Sequence, residues 1–213
     1  NKKWFYDLAL HTQVVIKKKK LNFSHGRLLY SYLCEYIQEH SSKTNNAIFI
    51  FETGTARGFS SICMAKALLD MKKEGLILTL DCIAHNEKMF WNCIDDAGGP
   101  LTRKELLSKW EKELSKIIFF QVWSQNSISK IGLNRINFAF LDGQHTKKEV
   151  MREFMYVYQN QKKGDVIVFD DVNEMFFSGV CKAVKEIENS FPYSVRWIKC
   201  SSERGYAIAR KEI

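Results

Sequence analysis

Three aspartates at the ends of two apolar runs could bind a metal ion. Asp142 ends the run INFAFLD, and Asp170 and Asp171 end the run DVIVFDD. If the two runs are neighbouring strands, their ends lie about 5 Å apart, and three carboxylates there would repel each other without a cation. Oxygen ligands with no nearby cysteine favour Mg²⁺, Mn²⁺ or Ca²⁺ over zinc. We therefore predict Asp142, Asp170 and Asp171 as metal ligands.

A histidine close to this group could move a proton. His145 follows Asp142 by three residues and titrates near neutral pH. A metal would hold an acceptor hydroxyl or vicinal diol and lower its pKa, and His145 would then take the proton. His145 and Asp142 are therefore the predicted catalytic residues. In the alternative interpretation, His145 starts a helix and Asp171 caps one.

A second group of residues forms a short glycine-bearing turn in the stretch IFIFETGTARGFSS, residues 48–61. A dinucleotide site has the pattern GxGxxG, but counting from Gly54 the later glycine positions hold Ala56 and Phe59. A phosphate-binding P-loop would need a lysine, which the turn lacks. Glu52 supplies a carboxylate, which suits a cationic or hydroxyl-rich ligand. The turn therefore predicts a ligand other than NAD.

Strand and helix patterns alternate along the chain, which predicts a mostly parallel sheet covered on both faces. Two final strands joined by a short polar turn predict an antiparallel edge hairpin. The predicted strands are 47–52, 76–81, 117–123, 136–142, 165–170, YSVRWIK and GYAIARK, and the predicted helices are 60–73, 102–116, 147–161 and 179–191. We expect one α/β domain over residues 1–213, with a helical substrate-side segment 1–44 before a core 45–213.

Ligands of such sheets bind beyond the carboxyl ends of the strands. The residues at those predicted ends are Glu52, Asp81, Trp123–Ser124, Asp142 and Asp170–Asp171. An acid stands at nearly every end, which predicts one site along this edge.

The composition narrows the choice of partner and compartment. The net charge of +8 is densest at Lys17–Lys20, and it indicates either a solvated face or an anionic partner such as a phosphate-bearing substrate or nucleic acid. The 6 cysteines show no CxxC spacing, which is typical of thiols in a reducing cytoplasm. No apolar run reaches the length of a membrane span, so a cytoplasmic protein without a membrane partner is expected.

The motifs together resemble those of class I S-adenosylmethionine (SAM)-dependent methyltransferases. FETGTARGFSS resembles the first motif of that superfamily, and Asp81 stands where an acid typically binds the ribose hydroxyls. INFAFLDGQHTKKEV and KKGDVIVFDDV resemble the D-G-x-H and G-G-x-x-x-x-D-D motifs of small-molecule O-methyltransferases, nearest to the macrocin-type sugar O-methyltransferases and the cephalosporin-hydroxylase-like proteins. Lys163 replaces a usual glycine, and segment 85–116 has no matching counterpart.

The resemblance implies a Rossmann-like fold that binds SAM. Gly54 would let the backbone approach the amino-acid tail of SAM, Glu52 would contact its ammonium or lie near the metal, and Asp81 would accept from the ribose. The cofactor-binding residues it implies are Glu52, Gly54, Thr55, Ala56, Gly58, Ser60, Ser61, Asp81, Ser124 and Asp142. Structural alternatives stay open, with Glu52 and Asp81 serving only to cap turns.

The predicted function is methyl transfer from SAM to a hydroxyl of a small molecule, such as a sugar or natural product, with Mg²⁺ or another divalent cation assisting. His25, in NFSHGR, is expected on the substrate side. Methyltransferases of exocyclic base amines resemble one another in a D/N-P-P-Y/F stretch, but this chain has Asp170-Asp171-Val172-Asn173, which disfavours nucleic acid as the acceptor. A nucleic-acid methyltransferase, and a non-methylating binding or hydroxylase-like protein, remain the alternatives, and a homo-oligomer is left open.

Overall fold

The computed structural model of the protein describes residues 2–13, 24–41, 46–123, 127–200 and 204–213. The strands are β1 (Ile48–Thr53), β2 (Gly75–Asp81), β3 (Ile117–Gln121), β4 (Phe138–Leu141), β5 (Val166–Phe169), β6 (Tyr193–Lys199) and β7 (Gly205–Lys211). The helices are α1 (Lys2–Thr12), α2 (Ser24–Ser41), α3 (Phe59–Asp70), α4 (Arg103–Leu106), α5 (Glu111–Leu114), α6 (Lys147–Asn160) and α7 (Ser178–Ser190).

The strands form one seven-stranded sheet in the order β3-β2-β1-β4-β5-β7-β6. The first five strands of that order are parallel, whereas β7 runs antiparallel to both β5 and β6. The predicted fold class is therefore confirmed: a Rossmann-like α/β sheet with an antiparallel C-terminal hairpin. The order reverses between β1 and β4, so a crevice opens beyond the carboxyl ends of these two strands.

Helices cover both faces of the sheet, which explains why β4 and β5 are apolar at every position. In β5, Ile167 and Phe169 pack into the cluster formed with α6 and α7. Val166 and Val168 pack into the opposite cluster, which is formed with α2 and α3. All four side chains are almost completely buried. The sheet therefore holds its strand ends, and the residues just beyond them, on a rigid core.

Segment 82–116 differs from the single helix that the apolar spacing predicts over 102–116. The structure has α4, a short 3-10 turn over Ser108–Trp110, and then α5. Leu106 packs with Trp91, whereas Leu107 and Trp110 pack with α1 and α3 in a separate cluster. One straight helix could not serve both clusters, so the chain bends between them.

None of the helices in the described ranges is long and apolar enough to cross a membrane.

Candidate functional site

The turn after β1 lies directly against the end of β4. Gly54 has φ +84°, and a Cβ added there would lie 2.1 Å from the carbonyl oxygen of Asp142. Gly58, with φ +88°, precedes the first turn of α3. Both positions need glycine because L side chains rarely adopt these backbone angles. The predicted cofactor turn and the predicted metal ligand Asp142 are therefore packed together, and the close approach at Gly54 is to protein backbone.

Asp81 holds this turn from the end of β2. Its carboxylate accepts from the backbone N–H of Ala56 at 2.5 Å and from that of Ile83 at 2.7 Å. These contacts show the turn-forming role that the sequence left open, and the half-exposed carboxylate also borders a cleft. The cleft is lined by Gly54, Leu80, Asp81, Cys82, Val122, Trp123, Gly143 and Gln144. Ser124, the predicted cofactor residue next to Trp123, lies outside the described residues.

Glu52, Ser60 and Ser61 lie beneath the turn. The Glu52 side chain is completely buried, and its carboxylate accepts from the hydroxyls of Ser60 and Ser61. Burial raises the pKa of Glu52, although the serine hydrogen bonds favour its charged form. Thr55 is also buried and shares a 2.6 Å hydrogen bond with Thr79. These four predicted cofactor residues thus form the floor of the turn, and cofactor contact by their side chains remains a prediction.

Arg103 is a residue of this site that the sequence analysis missed. It is 2% exposed, and its Nε donates to the Ala56 carbonyl at 2.8 Å while Nη2 donates to the Ile83 carbonyl at 3.3 Å. Its guanidinium carbon lies 5.5 Å from the Trp91 ring centroid and 5.7 Å from that of Phe119. Through Arg103, segment 82–116 therefore binds the outer side of the turn by a hydrogen bond to Ala56. The TRKE capping pattern indicates a helix start at Arg103 but gives no sign that the arginine is buried.

Replacing Arg103 with methionine should lower the free energy of unfolding by about 1–3 kcal/mol, because two carbonyl groups lose a charged donor. Urea denaturation of Arg103→Met and of the exposed neighbour Lys104→Met measures the difference. Equal stability of the two variants would show that the hydrogen bonds of Arg103 to Ala56 and Ile83 do not stabilise the protein.

The second part of the site is the group Asp142, His145 and Asp171. One ligand atom from each residue lies within 4.8 Å of the other two. His145 Nε2 lies 3.0 Å from Asp171 Oδ2, and the His145 ring packs 4.5 Å from that of Phe177. Asp171 has φ +54°, an angle that Asp and Asn tolerate better than other side chains. The two carboxylates suit Mg²⁺ or Mn²⁺, whereas an imidazole ligand is more typical of Zn, Cu, Fe or Ni.

Asp170 is adjacent to this group but faces other partners. Its side chain is 3% exposed, Oδ1 accepts from the Asp171 backbone N–H at 2.7 Å, and Oδ2 lies 3.7 Å from Arg204 Nη1. The structure therefore brings Asp142 and Asp171 together as predicted, with His145 as the nearer third group. Ligation by Asp170 remains a prediction.

The protonation of these groups reflects the crowding of negative charge. Burial, reinforced by Asp170 and Asp171, raises the pKa of Asp142 well above its usual range. Burial also raises the pKa of Asp170, to about 7, against the opposing effect of Arg204. The hydrogen bond to Asp171 raises the pKa of His145. A cation bound here would compete with protons for the carboxylates.

His25, at the start of α2, reaches the same region. Its ring centroid lies 4.9 Å from that of Phe59 and 6.0 Å from that of Phe140, a residue of β4. Nδ1 is buried and has no hydrogen-bond partner among the described residues. Burial, and then the charge of Arg204, lowers the pKa of His25 to about 3. His25 is therefore neutral near neutral pH, and its place on the substrate side remains a prediction.

Comparison with known proteins gives one family match and a set of similar structures. A family model described as a methyltransferase domain matches residues 51–172, which contain the turn, Asp81 and the carboxylate group. No curated protein matches the chain.

Three solved structures illustrate the structural likeness. The O-methyltransferase TomG from Streptomyces achromogenes, involved in tomaymycin synthesis and solved with SAM, has TM-score 0.68 at 16% identity, covering 98% of this chain and 89% of TomG. Cofactor-bound Rv0187 from MTB has TM-score 0.68 at 14% identity, covering 100% and 90%. An O-methyltransferase from Bacillus cereus, solved with SAH, has TM-score 0.67 at 13% identity, covering 99% and 92%. At these identities the likeness establishes the fold.

Proposed function

The chain belongs to the methyltransferase-domain family, and on that premise we propose that it is a class I SAM-dependent methyltransferase. It transfers a methyl group from SAM to a hydroxyl of a small molecule with the help of a divalent cation. The observation that carries the proposal is the contact between the Gly54 turn and Asp142, which joins a cofactor turn to a carboxylate–histidine group. Methyl transfer needs a donor and a hydroxyl held side by side, and this edge of the sheet offers both positions.

The residues around the cleft would hold SAM, which supplies an electrophilic methyl group when bound. Asp81 lines the cleft and can accept from ribose hydroxyls through its half-exposed carboxylate. Glu52 fixes the turn from below through Ser60 and Ser61, and Arg103 fixes it from outside. Rigid support from both sides keeps the turn in one conformation.

Asp142 and Asp171 would hold the cation, which lowers the pKa of a bound hydroxyl, and Asp170 adjoins them. His145 Nε2 lies 3.0 Å from Asp171 Oδ2 and would donate to it, so the imidazole would accept the hydroxyl proton at Nδ1. In the metal-free protein the hydrogen bond to Asp171 raises the pKa of His145, and proton transfer to a positioned histidine is a common form of general-base catalysis. The partner we propose is therefore a hydroxylated small molecule, and the cofactors are SAM and Mg²⁺ or a similar ion.

Calorimetry with SAM, SAH and NAD tests the choice of cofactor. The later glycine positions of a dinucleotide turn hold Ala56 and Phe59, so SAM and SAH should bind and NAD should not. Binding of NAD without binding of SAM would contradict the proposal.

A further inference from the structure

A cavity of about 460 Å³ lies beside the carboxylate group, between the segment after β5, helix α7 and strands β6 and β7. Its volume is within the range of small-molecule sites, which is about 300–1,000 Å³. Its lining residues are Val172, Asn173, Glu174, Met175, Cys181, Lys185, Trp197, Ile198, Lys199, Arg204 and Tyr206. None of these residues has a place in the cofactor cleft or in the proposed chemistry.

Two features connect this cavity to the proposed reaction site. Val172 and Asn173 directly follow Asp171, and the Val172 N–H donates to the Gly205 carbonyl at 3.0 Å, which ties the segment to β7. Arg204 lines the cavity and also lies 3.7 Å from Asp170. A molecule in the cavity would therefore lie next to Asp170 and to the segment that directly follows Asp171.

The polar groups of the cavity favour an anion. Lys199 and Arg204 contribute positive charge. The Asp170 carboxylate lies 3.7 Å from Arg204 Nη1, which is too far for a hydrogen bond, so N–H donors of Arg204 are left for a ligand. The cavity's acid, Glu174, already pairs with Lys185. The Tyr206 side chain is 0% exposed, and its hydroxyl lies beside the Arg204 guanidinium but has no acceptor for its proton among the described residues. A buried donor of this kind is costly unless a ligand pairs with it.

The remaining lining is largely apolar. Trp197 is 38% exposed and Met175 is 80% exposed, and both contribute to the wall together with Ile198. The Trp197 indole is oriented by a 3.1 Å hydrogen bond from its Nε1 to Glu188. Exposed aromatic and thioether side chains at a cavity are typical of surfaces that bind rings.

We propose that this cavity binds the anionic end of the methyl acceptor, so that the acceptor is a hydroxylated ring bearing a carboxylate. Lys199 and Arg204 bind the carboxylate, Tyr206 donates to it, and Trp197 packs against the ring. The assignment of the ligand as the methyl acceptor rests on the proposed function, whereas the preference for an anionic ring rests on the cavity alone.

The test compares 3,4-dihydroxybenzoate with catechol, which has the same diol but no carboxylate. Calorimetry with the full chain, SAH and Mg²⁺ should show the dihydroxybenzoate binding at least about 10-fold more tightly, since charge-assisted hydrogen bonds contribute about 1.5–3 kcal/mol. Lys199→Gln and Arg204→Gln should each remove most of this preference. Lys182→Gln, an exposed residue of α7 outside the cavity lining, should retain it.

Equal affinity for the two probes, no detectable binding of the dihydroxybenzoate, or a preference that survives Lys199→Gln would overturn the proposal. Methyl transfer is measured separately with both probes. If both probes are methylated with equal efficiency, the proposed function is supported and the proposal that the cavity binds a carboxylate is refuted. If the Lys199-dependent preference is found but SAM neither binds nor reacts, the cavity's preference for a carboxylate is supported and the proposed function is refuted.

Discussion

Asp142→Asn should abolish cation binding and lower the rate of methyl transfer by roughly 10²–10⁴-fold, because a Lewis acid supplies several kcal/mol of transition-state stabilisation.

The same variant should raise the melting temperature of the metal-free protein. Asp142 is crowded by Asp170 and Asp171, and removing its charge relieves that repulsion. For a chain of this size, each kcal/mol gained raises Tm by about 2–4 °C. Manganese binding, turnover and thermal denaturation measure the three effects.

The pH dependence of stability follows from the same raised pKa values. The folded protein binds more protons than the unfolded chain, since the pKa of Asp170 rises from 3.8 to about 7. The metal-free protein should therefore lose stability as the pH rises through that interval, and Mg²⁺ should restore it at the upper end. Glu111→Gln, on the exposed face of α5, removes one negative charge as Asp142→Asn does, and it should change neither the pH dependence of stability nor the effect of Mg²⁺.

A fully active Asp142→Asn enzyme whose activity is unchanged by a chelator would show that the aspartates are structural.

His145→Ala should lower the turnover number by about 10²–10⁴-fold, because removal of a general base costs that much. SAM binding should be unchanged, and activity should recover partly as the pH is raised and the acceptor hydroxyl ionises without help. The pH–rate profile of the wild type should show one basic group whose ionisation is absent from the profile of His145→Ala. Rate measurements between pH 6 and 9 provide the comparison.

Manganese binding by the same variant separates two roles for this side chain. His145 lies within ligating distance of Asp142 and Asp171, so it could hold the cation instead of taking the proton. If His145→Ala keeps its affinity for Mn²⁺, His145 acts as the general base. If the variant loses both Mn²⁺ affinity and activity, His145 is a metal ligand. His40→Ala, whose ring lies near Gly164 at the start of β5, is the histidine control and should remain fully active.

The sequence predicted the sheet because each central strand is an uninterrupted apolar run that ends in an acid or a polar turn. The strands YSVRWIK and GYAIARK were predicted with the bounds that β6 and β7 have. The convergence of Asp142 and Asp171 followed from the pairing of β4 with β5, since parallel strands end at the same edge. Periodicity and strand-end chemistry are local signals, which a single sequence carries.

Contacts between distant segments could not be predicted in this way. Arg103 is 47 positions from Ala56 in the sequence, and none of the residues next to Arg103 in the sequence indicates that its side chain donates to the Ala56 carbonyl. The inward orientation of Glu52 depends on where Ser60 and Ser61 begin α3, which pattern alone does not fix. The prediction of one continuous helix over 102–116 was wrong because its leucines belong to two separate clusters, although α4 and α5 both lie within it.

Transfer of a labelled methyl group tests the central claim most directly. The purified protein would be incubated with SAM carrying a ¹³C methyl group and Mg²⁺, with a low-molecular-weight cell extract in one reaction and total RNA in another. We predict a labelled methyl ether in the small-molecule fraction, formed by the wild type but not after chelation or by Asp142→Asn. Label found only in RNA, or SAM that binds without any labelled small molecule being formed, would contradict the account.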